Sequence, residues 1–279
     1  ADREGKTLSM PAFIWTQGET DHQDRKTREW YREKMEKLIR DINHDARAVT
    51  GQKNDVVCFG YQVGSHLNYY QFNPTDYPAI ALEQLDMALE KDSRYVMTTP
   101  MYHFEYSDGV HLTAPMSRLY GEYVGYVMKK VLLDGADWKP VHPLNHKIRK
   151  FGKDWTVEVA FYAPCPPLVL DTKTVDDPGN YGFSLVGAEG EDVAIKSVRL
   201  VGKNTVQLLT EKDPRKGRLR YGMTINEHRP SGPRTGARGC GEEAGGPLGR
   251  HCGAGGGKLG LSGFLGNRPP PARPARLQV

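Results

Sequence analysis

Tyr31, Met35, Leu38, Ile39, Ile42, Ala46 and Val49 recur at spacings of three and four within residues 24–50, with Arg, Glu and Lys between them. That period lays one apolar stripe along a long helix, and such a stripe needs a surface to cover. The flanking runs supply it. A short apolar stretch ends in "FIW" at Trp15, and "DVVCFGYQV" follows at 55–63, rich in residues that fit a pleated surface. A strand, a long helix and a second strand form a βα unit, which implies a parallel sheet. The pattern repeats: residues 79–91 read as a crossover helix, and "RYVMTTPMYHF" reads as the next strand, with Pro100 at its frayed end. In "LTAPMSRLYGEYVGYVMKKVLL" a third helix starts, with Thr113 as N-cap, Pro115 in the first turn, and Met116, Leu119, Tyr120, Tyr123, Val127 and Val131 on one stripe. Residues 1–133 are therefore expected to form an α/β domain.

The helical period stops near Asp134. "DWTVEVAFY" alternates Trp155, Val157, Val159 and Phe161 against Thr156, Glu158 and Tyr162, the pattern of a half-buried strand. Short runs at 167–170, 181–186, 194–201, 205–209 and 218–223 follow, separated by turn signals such as "DDPGN" and "VGKN". Residues 134–228 are expected to be a small β-sandwich. Residues 229–279 are mostly Gly, Pro and Arg with almost nothing to build a core, so this tail is expected to be disordered. A basic linker and an out-of-frame translation of GC-rich DNA would both read this way.

The net charge of +4 owes much to arginines in that tail, so nothing in the charge demands nucleic acid. No apolar run approaches the roughly 18 residues of a membrane span. Cys58, Cys165, Cys240 and Cys252 form no CxxC pair, and the expectation is buried thiols rather than a disulfide framework or a zinc site. His22, Asp24, His44 and Asp45 flank or sit on a solvated helix and read as surface charges, so no metal is expected.

Two polar loops fall where strands end. "FIWTQGETDHQD" breaks from an apolar run into Gln17, Gly18, Glu19 and Asp21, and "HFEYSDGVHLT" sets Asp108 and His111 three residues apart. The carboxyl edge of an open α/β sheet is where ligand sites lie. In an Asp-x-x-His turn the carboxylate can reach the Nδ1 hydrogen of the imidazole, leaving Nε2 as a general base. A strand-end amide such as Gln17 can also simply satisfy backbone groups.

"WTQGETD" at 15–21, "DGVHLT" at 108–113 and "RLYGEYVG" at 118–125 together resemble the SGNH (GDSL-like) hydrolase superfamily, in its branch of sialate O-acetylesterases and carbohydrate esterase family 6. The resemblance spans residues 10–133. It implies a flavodoxin-like three-layer fold and a secreted or periplasmic serine esterase that removes acetyl groups from carbohydrate without a cofactor. Asp108 and His111 would be triad acid and base, Gln17 an oxyanion-hole donor, and Gly18, Glu19 and Asp21 the support of its loop. The family's nucleophile is a serine in a Gly-x-Ser block ahead of the "QGE" block, where this chain has only residues 1–16. "TGQKN" at 50–54 has Lys53 where that serine would stand and lies in the wrong order, while Ser65 and Ser107 are the remaining nearby hydroxyls. The nucleophile is thus unassigned, and the expectation is a domain lacking its first strand. A non-catalytic carbohydrate-binding or interaction protein derived from an esterase is the other reading. Oligomeric state is not legible.

Overall fold

The computed structural model describes residues 2–65, 78–108, 110–172 and 179–223, and the strand 237–239. Strand β1 (Ala12–Ile14) leads through a short helix α1 (Glu19–Gln23) into α2 (Arg28–Thr50), β2 (Val57–Gln62), α3 (Ala79–Leu89), β3 (Tyr95–Pro100) and α4 (Ala114–Met128). All three strands are parallel, in the order β1-β2-β3, with Phe13 opposite Cys58 and Cys58 opposite Tyr95. The central strand β2 is buried along almost its whole length, which is why its sequence is a near-continuous apolar run.

Helix α2 begins at Thr27, whose hydroxyl accepts from the Trp30 N–H at 3.2 Å, and ends at Gly51, left-handed at φ 70°. Its buried face is Tyr31, Met35, Ile39, Asn43 and Ala46. Two corrections to the sequence stripe follow. Val49 is 78% exposed, because the last turn of the helix runs past the covered surface. Asn43 is inside, its amide donating to the carbonyls of Ile39 and Val56 and accepting from the Val56 N–H at 2.8 Å, so it caps the entry to β2. Ile39→Ala should cost about 2–5 kcal/mol in chemical denaturation, whereas Val49→Ala should stay within about 0.5 kcal/mol. Helices α2 and α3 are also clamped by ions: Glu83, buried on α3, accepts from Nε of Arg28 at 2.7 Å and pairs with Nε of Arg32 at 2.5 Å. On α4, Tyr123 and Val127 are buried, with Met116, Leu119 and Tyr120 half-buried beside them, and Val131 is half-buried in the helical turn Lys129–Leu133 that follows. Thr113 is its N-cap residue, but the side chain makes no capping bond.

The remainder is antiparallel. Strands β4 (His142–Phe151), β5 (Asp154–Tyr162), β6 (Leu168–Leu170), β7 (Phe183–Val186), β8 (Asp192–Val193), β9 (Ile195–Val201), β10 (Thr205–Thr210) and β11 (Arg218–Tyr221) form sheets ordered β4-β5-β10-β9 and β11-β7-β8. Strand β6 pairs with β12 (Ala237–Gly239). That pairing corrects the expectation of a wholly disordered tail at three positions; the rest of 229–279 lies outside the described residues. Val157, Val159, Phe161, Val206 and Leu208 share one core with Phe183, Leu185, Leu219 and Tyr221. This core is continuous with that of the parallel sheet, where Tyr102 meets Tyr221 edge-on at 5.8 Å. Strand β4 was not anticipated from the sequence. The cysteine expectation needs a correction too: Cys58 is a buried free thiol, but Cys165 is disulfide-bonded. Cys240 and Cys252 lie outside the described residues.

Candidate active site at the carboxyl edge of the parallel sheet

Both polar loops emerge from the carboxyl ends of parallel strands, the "QGE" loop after β1 and the Asp108–His111 loop after β3. The second is a tight hairpin. Tyr106 and Leu112 form a bridge, the Ser107 N–H donates to the His111 carbonyl at 2.7 Å, and the Thr113 N–H donates to the Glu105 carbonyl at 3.1 Å, just ahead of α4. Inside it Oδ1 of Asp108 accepts from the N–H groups of Val110 (2.9 Å) and His111 (2.7 Å), while Oδ2 lies 2.6 Å from Nδ1 of His111. The His111 N–H, its ring and the Val110 N–H hold the Asp108 carboxyl down at about 2, from an ordinary 3.8. The stabilisation from these bonds is therefore present above the ordinary value and lost only as pH falls through about 2, and solvent screening weakens it because the group is exposed. An ionised carboxylate can only accept, so the imidazole carries its hydrogen on Nδ1 and turns a free Nε2 outward. The His111 side chain is 78% exposed, open to any group that approaches.

The "QGE" loop is tied down at every residue. Nε2 of Gln17 donates to Oδ2 of Asp21 at 2.7 Å, which orients the amide and leaves its second N–H unspent. The Gln17 carbonyl accepts from Nε2 of Gln84 at 3.0 Å and from the Tyr31 hydroxyl at 3.3 Å. Gly18 has φ 153°, and a Cβ there would lie 2.8 Å from Nε2 of Gln84, so both backbone and packing require glycine. Both oxygens of Glu19 accept from the Tyr61 hydroxyl, at 2.7 and 2.8 Å, and Ser65 reaches the same carboxylate at 3.5 Å. Burial raises the Glu19 pKa, and the Tyr61 bond only partly offsets it. A raised carboxyl favours the protonated fold, so stability attached to it is lost as pH rises through its folded value. In denaturation series, Glu19→Gln should therefore gain stability relative to wild type as pH rises above about 4.5, the ordinary value. A constant difference between pH 4 and pH 8 would show that Glu19 is not desolvated as described.

Asp108 meets His111, and Gln17 meets Asp21, but among the described residues no hydrogen bond joins the two loops. Their strands flank β2, which sets them about 10 Å apart by ordinary strand spacing. Neither serine serves Nε2 of His111: Ser65 is buried against Glu19, and Oγ of Ser107 donates to the His111 carbonyl at 3.0 Å. Sequence reasoning missed Tyr31, Tyr61 and Gln84. The available signal was the pair Glu83 and Gln84, both buried, inside the largely apolar "AIALEQLDMAL". Among the described residues no group of three or more His, Cys, Asp or Glu side chains is arranged to hold a metal ion, and no helix is long and apolar enough to cross a membrane.

The crystal structure of a novel carbohydrate acetylesterase from Xanthomonas citri is similar in fold, with a TM-score of 0.52 and 16% identity over 80% of this chain. The match covers 46% of that enzyme, so this chain spans less than half of it. No curated protein matches the sequence. Residues 1–129 match the family described as carbohydrate esterase, sialic acid-specific acetylesterase. Residues 1–129, just under half of this chain, are thus similar to the sialic acid-specific acetylesterase family of carbohydrate esterases.

Proposed function

We propose that the chain carries the acid–base dyad and the oxyanion donor of a carbohydrate O-acetylesterase, acting on an acetylated sugar, with the nucleophile outside the described residues. The observation that carries this reading is the 2.6 Å contact between Asp108 and Nδ1 of His111, on the same sheet edge as Gln17. In this reading Nε2 of His111 takes the proton of a serine hydroxyl as its oxygen attacks the acetyl carbonyl. The unspent N–H of Gln17 stabilises the resulting oxyanion, and His111 then passes the proton to the departing sugar oxygen. Water, activated by the same Nε2, releases acetate from the acyl-enzyme. The layout that goes with it is a flavodoxin-like, three-layer domain over 1–133, an accessory β-sandwich over 134–228 and a tail over 229–279. The disulfide at Cys165 fits an oxidising compartment.

In a catalytically complete form, Gln17→Ala should lower kcat on an aryl acetate by about 100- to 1,000-fold. A loss below threefold would remove Gln17 from the oxyanion role. A second reading, a carbohydrate-binding protein without turnover, is favoured by one observation: among the described residues no hydroxyl meets Nε2 of His111.

A further inference from the structure

We infer that Gln84 on α3 is the positioning residue for Gln17, an inference that rests on Gln17 being the oxyanion donor. Its side chain is 1% exposed, and both Nε2 hydrogens and Oε1 are bonded, to the loop after β1, to α2 and to the exit of β2. Oε1 accepts from the Val63 N–H at 2.8 Å, at the exit of β2. One Nε2 hydrogen goes to the Gln17 carbonyl at 3.0 Å and the other to the Tyr31 hydroxyl at 2.9 Å. Tyr31 in turn donates to the same Gln17 carbonyl at 3.3 Å, so that oxygen is gripped by two buried donors. A Cβ at position 18 would lie 2.8 Å from Nε2 of Gln84, so the loop passes this close to the helix only because residue 18 is glycine.

The consequence reaches the Gln17 side chain. Fixing the carbonyl fixes the plane of the Gln17–Gly18 peptide and the Gln17 Cα within it, and with Trp15 held through its N–H to the Phe59 carbonyl at 2.9 Å this narrows the directions in which the Gln17 Cα–Cβ bond can leave the chain. Asp21 then sets the far end of the amide, and the second N–H has one direction left. Gln84 touches neither substrate nor reacting atoms in this arrangement; it acts through Gln17.

The test uses the 279-residue chain and needs no turnover. In a proton–nitrogen spectrum, the side-chain amide of Gln17, assigned by its disappearance in Gln17→Ala, should show two well-separated proton shifts, because one hydrogen is bonded to Asp21 and the other is not. Gln84→Met should collapse that separation toward the value of a free glutamine side chain while far-UV circular dichroism still reports a cooperative melt. Gln84→Glu, of the same shape, should show the collapse at neutral pH and recover the separation on acidification, as the protonated carboxyl regains a donor for the Gln17 carbonyl. A role in packing alone would leave the glutamate variant independent of pH. An unchanged Gln17 signal in either folded variant overturns the positioning role, whatever Gln17 does in turnover. A Gln17→Ala enzyme with unimpaired kcat overturns the donor reading instead.

Discussion

Assayed alone on an aryl acetate, the 279-residue chain is expected to release acetate no faster than buffer does. In the proposed reading Gln17, Asp108 and His111 polarise and orient the ester, while among the described residues no hydroxyl meets Nε2 of His111. Ser65 is buried and turned toward Glu19, and Ser107 is spent on the His111 carbonyl. A general base with no hydroxyl on it cannot form an acyl-enzyme. Joining the chain to a segment that carries the family's Gly-x-Ser block ahead of β1 should raise turnover to on the order of a millionfold above the uncatalysed rate, the lower end of what esterase-like machinery achieves. Robust acetate release by the 279-residue chain, insensitive to His111→Ala, would send the search to another nucleophile. Binding of an acetylated sugar without turnover by the extended protein would favour the non-catalytic reading.

Local relations in this molecule were legible from sequence, and relations between distant segments were not. The helix stripes followed from a period of 3.6, the half-buried strand Asp154–Tyr162 from a period of 2, and the parallel strands from β-forming apolar runs alternating with helices. Asp108 and His111 could be paired on paper because three residues of hairpin suffice to bring them together. Val49 misled because periodicity says which side of a helix is apolar and not how far the covering surface extends. Strand β4 escaped because its solvent side carries Lys147 and Arg149, its end adds Lys150, and Pro143 lies near its start; only pairing with β5, Ile148 opposite Val157, makes the segment a strand. Gln84 escaped for a stronger reason. Its partners Gln17, Tyr31 and Val63 come from three other segments, and no spacing rule links them. The disulfide at Cys165 is of the same kind, since no motif marks its partner.

In the extended, active protein His111→Ala should lower kcat by about 10,000-fold or more, and Asp108→Asn should come close to it. The two losses have different causes. Alanine removes the base outright. Asparagine keeps the shape of the turn and can still accept from the Val110 and His111 N–H groups through Oδ1, but its NH2 group now faces Nδ1 of His111 and donates where a carboxylate accepted. The ring must then put its hydrogen on Nε2, the atom that has to be bare to act as base. KM should change little in either variant, because Asp108 and His111 contribute to the transition state more than to holding the sugar. The Asp108 carboxyl titrates near 2, so acidification from neutral pH to pH 5 cannot disable the dyad through this group. Any fall in kcat over that interval must come from elsewhere in the site, and the Asp108→Asn enzyme, compared at matched pH, separates the two contributions. An Asp108→Asn enzyme within tenfold of wild type would mean that the tautomer is set by some other partner and that the 2.6 Å contact is structural.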